Sequence, residues 1–184
     1  FEWEEAKNLK TEKMDRAQTR SDSGELDKTM FKKIKYKDNE LDKNAALEVI
    51  KKGSYGVLSS IGDDGYPYGV PVNYTYFDGC VCFHCAHEGH KIDNIQNNEN
   101  VSFCVVTKSD VLPNEFDTDY ESTIVFGKAA KVTEELEKEA ILLSVLDKYS
   151  SEFMQAGKNY MKKFWDDTTV IKIKVEYITG KARK

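Results

Sequence analysis

Two tight-turn signals, Asp63-Asp64-Gly65 and Phe77-Asp78-Gly79, sit between runs of alternating apolar and polar residues, and they limit the fold more than any other feature. Glycine accepts the positive φ that a two-residue hairpin demands, so each signal closes an antiparallel pair. The β-rich runs cover 55–61, 68–77, 80–85, 101–107, 122–132 and 169–178. Most links between them are too short for a helical crossover, which excludes a parallel sheet. Many short strands with few helices predict a mainly β fold with flanking α, a six-stranded antiparallel barrel whose first strands form a meander. The segment 110–120, with Pro113 and several acids, reads as an exposed loop between two barrel strands.

Four helices are expected. Asp42 is a plausible N-cap for Ala45, Ala46, Val49 and Ile50, with Gly53 as the stop. A second helix spans 90–97, and a third spans 134–149 with Ala140, Leu143, Val145 and Leu146 as apolar positions. A shorter one falls near 151–164.

The chain has 184 residues, enough for one core, and carries 32 acidic against 27 basic side chains for a net charge of -5. That balance lacks the broad attraction needed for nucleic acid, and no apolar run reaches the roughly 18 to 20 residues of a membrane span. A cytoplasmic protein is expected. Three of the four cysteines, Cys80, Cys82 and Cys85, crowd into six positions with Cys104 apart, so reduced thiols are expected rather than a stapling framework. Residues 1–29 are mostly charged and polar; they read as an appended or flexible segment, either a helix with Phe1, Trp3, Ala6, Leu9 and Met14 as one narrow apolar stripe or a flexible arm, and 30–184 as the domain proper. Met30 is a candidate natural start.

Chemistry concentrates in VCFHCAHEGHKIDNIQNN, 81–98, where a short strand breaks into a turn that opens a polar helix. A helix start presents unpaired N–H groups and the positive end of its dipole, Gly89 lets backbone approach a ligand, and His90 and Lys91 add donors. Phosphate capture is the chemistry such a turn suits; the alternative is a solvated helix start. His84 is either a satisfied strand histidine or a proton donor with an ordinary pKa near 6.5. The cysteines and His84, His87 and His90 suggest zinc by type but not by spacing, since on a strand Cys80 and Cys82 share one face and Cys85 takes the other; no metal site is assigned. Trp165 either fills core volume or covers part of a ligand.

Taken together, GDDGYPYGVPVNYTY, FHCAHEGHKIDNIQNN, YESTIVFGKA and ITGKARK resemble the FMN-binding split-barrel superfamily, in its branch of pyridoxamine 5'-phosphate oxidase-like and nitroimidazole-resistance (Nim-type) flavoproteins, over roughly 31–184. The resemblance implies a six-stranded split barrel and a homodimer with FMN at the subunit interface. The oxidases grip the FMN phosphate and ribityl chain with Phe-Tyr-Thr and Ser-Arg-Lys stretches; the matching positions are Phe83-His84-Cys85 and Gly89-His90-Lys91. Only Lys91 keeps its identity in the second stretch, and the Phe-His start is the Nim-type form. The resemblance also implies that the strand containing Val72, Asn73 and Tyr74 lies along the flavin ring, and it puts Ser122 where the oxidases carry a glutamine near the flavin. The cofactor-binding set implied is thus Val72, Asn73, Tyr74, His84, Cys85, Gly89, His90, Lys91, Ser122 and Trp165, with His84 as the catalytic candidate.

The function expected is an FMN-dependent oxidoreductase passing reducing equivalents from NAD(P)H to a small-molecule acceptor such as a nitroaromatic or a quinone. A non-catalytic FMN-binding or storage protein is the alternative, because no nicotinamide-binding element is evident. Pyridoxamine phosphate oxidation ranks third, since the oxidase arginine and tyrosine are replaced and Arg183 is the only arginine past position 20.

Overall fold

Every strand pair among the described residues is antiparallel. The computed structural model describes residues 31–183, so the expectations for 1–29 and for Met30 lie outside the described residues. From Lys33 the chain is one unit. Its elements are β1 (Glu40–Leu41), α1 (Lys43–Lys52), β2 (Gly56–Ile61), β3 (Pro67–Val72), β4 (Thr75–Phe77), β5 (Cys80–Cys85), α2 (His90–Asn97), β6 (Asn100–Leu112), β7 (Asp117–Lys131), α3 (Glu135–Ser150), α4 (Met154–Lys163) and β8 (Thr169–Arg183). No helix among the described residues is long and apolar enough to cross a membrane.

The strands run in the order β3-β2-β6-β7-β8-β5-β4, with the short β1 added against β8. The two outermost strands, β3 and β4, are joined by only Asn73 and Tyr74. A link that short spans roughly 10 Å, so the sheet must curl until its edges nearly meet. The result is a split antiparallel barrel, closed on one side by chain rather than by strand pairing.

Alternation sorts the side chains. Leu58, Val81, Phe83, Phe103, Val105, Val125, Ile171 and Ile173 face inward in one core with Val49 and Ile50 of α1. Asp42 caps α1 by accepting the Ala45 N–H at 2.9 Å, and Thr123 donates to the Ala46 carbonyl at 3.1 Å, so the helix is tied to β7 as well as packed on it. A Cβ on Gly56 would stand 2.2 Å from the Phe103 ring, which explains the glycine there. The opposite faces of Cys82 and Val170 pack beneath Ile141 and Leu142 of α3 in a smaller core, with Trp165 and Met161 at its margin.

Each of the six expected strands is present, but the run 68–77 is divided at Asn73-Tyr74 and β1 is added, giving eight. The expected meander is correspondingly two separate hairpins: β2 pairs β3, β4 pairs β5, and β3 does not pair β4. The cause is Tyr74, fully buried, whose side chain turns into the core and donates to the Ile50 carbonyl. The turn at Asp78 (φ 45°) and Gly79 (φ 76°) has the two positive φ values that the sequence signal implies. The expected loop 110–120 is instead a hairpin arm in which β6 and β7 stay paired to Leu112 and Asp117. Lys108 bonds Asp119 at 3.0 Å and Arg183 meets Asp117 at 3.0 Å and Asp119 at 3.3 Å, so ion pairs take the place that apolar alternation holds in the barrel.

Candidate functional site

Gly89 adopts φ 121°, a conformation that side chains resist, and forms the N-cap of α2 with no side-chain cap bond. Its carbonyl accepts from Ile92 N at 2.7 Å and Asp93 N at 3.2 Å. The N–H groups of the first turn, those of His90 and Lys91, lie ahead of any intrahelical acceptor. The buried side chains of Ile92, Asn94 and Ile95 fix the helix against the barrel, and Asn94 Nδ2 donates to Ser60 Oγ at 3.0 Å. Donors at this turn are therefore held in place before anything binds.

His90 stacks on Tyr68 of β3, with ring centroids 4.1 Å apart and planes tilted by 34°. That contact brings the start of α2 against β3, an edge strand whose outer side pairs with nothing among the described residues. Pro67 and Pro71 are tolerated there because an edge strand need not donate on both sides. Lys91 is half-buried and acts on the Cys85 thiol together with Lys131 at the end of β7. Burial raises the Cys85 pKa and outweighs the two ammonium groups, which lower it. Among the described residues neither lysine has a carboxylate partner. Lys131 escaped the sequence reading because it lies 40 residues from Lys91 (131 − 91) and only the sheet order brings it to the same end.

Cys85 lies beside the inner core, whereas His84 projects from the opposite face of β5 alongside Cys80 and Cys82. His84 is open to solvent at its edge, yet the protein around it strips enough hydration to hold its pKa below the ordinary value. Burial pushes the Cys82 thiol up to about 12, as expected of an apolar filler. Among the described residues no three His, Cys, Asp or Glu side chains are grouped as a metal would require.

The remaining predicted residues are dispersed. Val72 packs against the inner core and Asn73 donates to the Ser54 carbonyl at 3.0 Å. Tyr74 is buried, and Tyr149 occupies both of its main-chain groups. Trp165 borders the smaller core, with the Lys138 ammonium 4.4 Å above its ring. Ser122 is opposite Lys181 on β8, while His84 is opposite Val170, 11 residues earlier (181 − 170). At strand rise that is roughly 35 Å along β8, so within one chain Ser122 lies toward the opposite end of that strand from the β5–α2 turn.

The turn fits a phosphate monoester: preset amides, a glycine that needs its left-handed φ, and two lysines without carboxylate partners among the described residues converge at one end of the barrel.

The sequence profile of the pyridoxamine 5'-phosphate oxidase family matches residues 42–182. No curated protein matches the chain. Among solved structures, a candidate 5-nitroimidazole antibiotic resistance protein from Bacteroides thetaiotaomicron aligns at TM-score 0.64 and 23% identity, covering 77% of this chain and 85% of that one. An FAD-binding protein from Mesorhizobium loti aligns at TM-score 0.60 and 19% identity, over 79% and 97% respectively. A flavocytochrome from Azotobacter vinelandii aligns at TM-score 0.69 and 14% identity, over 86% and 75%. At these identities the likeness shows a shared fold.

Proposed function

Because the chain belongs to the pyridoxamine 5'-phosphate oxidase family, we propose that it is an FMN-dependent oxidoreductase that takes reducing equivalents from NAD(P)H and passes them to a small acceptor such as a nitroaromatic or a quinone. The observation that carries the proposal is the glycine-capped start of α2 with Lys91 and Lys131 beside it. A phosphate monoester brings close to two negative charges, and each charge-assisted hydrogen bond contributes roughly 1.5 to 3 kcal/mol. Bound FMN supplies the ring that accepts and gives up hydride.

The chain's own part is to hold and to tune. Lys91, Lys131 and the amides of His90 and Lys91 take the phosphate. The unpaired edge of β3 offers main-chain groups to a planar ligand beside it. His84, with its lowered pKa, is mainly neutral at pH 7 and serves as the proton carrier toward an acceptor.

The site is completed by a second copy. Ile61, Val106 and Ile124 share the outer sheet face and are 49%, 48% and 38% exposed. Ser122 pairs with Val106 on that face. A two-fold homodimer through it buries the apolar strip and lets Ser122 of one subunit serve the turn of the other.

Titration of the full-length protein with FMN, followed anaerobically with NADH and NADPH, tests the proposal. Saturable binding and bleaching at a catalytic rate support it. Binding without bleaching would leave a flavin carrier, and no binding would refute both.

A further inference from the structure

His87, two residues before Gly89, makes two hydrogen bonds to the far end of the sequence. Its Nε2 meets the Asp166 carbonyl, which can only accept, so Nε2 carries a proton; in the neutral imidazole Nδ1 then accepts from the Thr169 hydroxyl at 2.6 Å. Thr169 is a fixed point: it is 2% exposed, opens β8 and stands opposite Cys85. Asp166 adjoins Trp165, whose carbonyl accepts from Lys138 Nζ at 2.6 Å beneath the same ammonium that covers its ring. The Thr168 hydroxyl donates to the Phe164 carbonyl at 2.7 Å, closing the loop on itself. The loop 164–168 is thus gripped from α3 on one side and from the turn that starts α2 on the other, and His87 is the grip on the turn side.

We propose that His87 is a positioning residue that holds the Gly89–Lys91 turn and the Trp165 loop as one unit, so that phosphate affinity at the turn and the environment of Trp165 change together. This rests on the phosphate assignment of the proposed function. A turn released from Thr169 and Asp166 must be reordered whenever an anion binds, and the cost appears as lost affinity for phosphate-bearing ligands only.

The test uses the full-length chain carrying Trp3→Phe, which leaves Trp165 as the single indole of the two in the sequence. His87→Ala is compared with His87→Gln, whose amide keeps a donor within reach of the Asp166 carbonyl. Two neutral hydrogen bonds are at stake, so His87→Ala is expected to weaken FMN about tenfold and to leave riboflavin, which lacks the phosphate, within about twofold. Trp165 emission becomes more accessible to acrylamide in the same variant, and His87→Gln recovers most of both effects. Where His87→Ala fails to give a cooperative melt, Thr169→Val removes one bond at nearly constant volume and is read the same way. Unchanged FMN affinity with unchanged Trp165 quenching overturns the proposal, as does an equal loss for FMN and riboflavin. Absence of FMN binding by the parent chain would refute the proposed function, and the clamp would then be decided by Trp165 quenching alone.

Discussion

The phenol of Tyr149 spans both main-chain groups of Tyr74: its oxygen accepts the Tyr74 N–H at 3.0 Å and lies 2.7 Å from the Tyr74 carbonyl. It also lies 2.8 Å from the Ser54 carbonyl, so its single proton is shared between two acceptors. Through this contact α3 holds the two-residue link between the outer strands. Tyr149→Phe leaves the Tyr74 N–H without its partner and is expected to cost about 1 to 3 kcal/mol. A lower urea midpoint at constant slope is the expected readout; an unchanged midpoint would mean that solvent replaces the phenol.

Lys148 supplies a pH signature in the same region. Its amine is buried without a hydrogen-bond partner among the described residues, 3.9 Å above the Tyr74 ring. The ring face favours the ammonium, but burial prevails and lowers the pKa from 10.5 to about 8. Below pH 8 the folded chain bears the full penalty of the charge. Between about 8 and 10.5 the unfolded chain keeps a proton that the folded chain has released, so stability rises with pH. Lys148→Met is therefore expected to exceed the parent in urea midpoint near pH 7 and to lose that advantage near pH 10.

Lys91→Ala is expected to weaken FMN by roughly tenfold to a hundredfold, from the loss of one charge-assisted bond, with riboflavin affinity unchanged. Lys131→Ala acts in the same direction with a smaller effect, because Lys131 is exposed. Flavin fluorescence titrations report both, and an equal loss for riboflavin would remove the phosphate assignment.

If His84 delivers its proton as imidazolium, kcat/KM for the acceptor must fall as pH rises through a value below the ordinary 6.5, since burial lowers this pKa. His84→Gln should abolish that limb. A parent profile that is flat from pH 5 to 8 would rule the role out.

Ile124→Glu places a charge in the middle of the exposed outer face and is expected to convert a dimer to monomers in light-scattering measurements while the monomer still melts cooperatively. FMN affinity should drop with it, because Ser122 then has no neighbouring subunit to serve.

The helix over 90–97 and the strand at 80–85 were legible to the residue because a left-handed glycine and a short apolar run bounded by turn residues are local signals, each encoded within a few positions. Tyr74 was not, since its polar neighbours Asn73 and Thr75 continue the strand-like pattern and only the core position beneath Ile50 explains the break. The arm over 110–120 reads as loop because both of its faces meet solvent, which erases alternation; Lys108, Asp119 and Arg183 stabilise it through charges that carry no periodicity. Lys91 was visible from its turn, whereas Lys131 and the grip of His87 on Thr169 depend on β7, β8 and β5 lying side by side, a neighbour relation that no window of sequence contains.

The passage from Val72 to Thr75 has a topological consequence. Were the chain cut between those residues, each hydrogen-bonded ladder among the described strands would survive, yet the covalent seam between the two outer strands would be lost. The curvature of the sheet would then rest on the inner core and on the grasp of α3, and the lip beside His90 would be freer to gape.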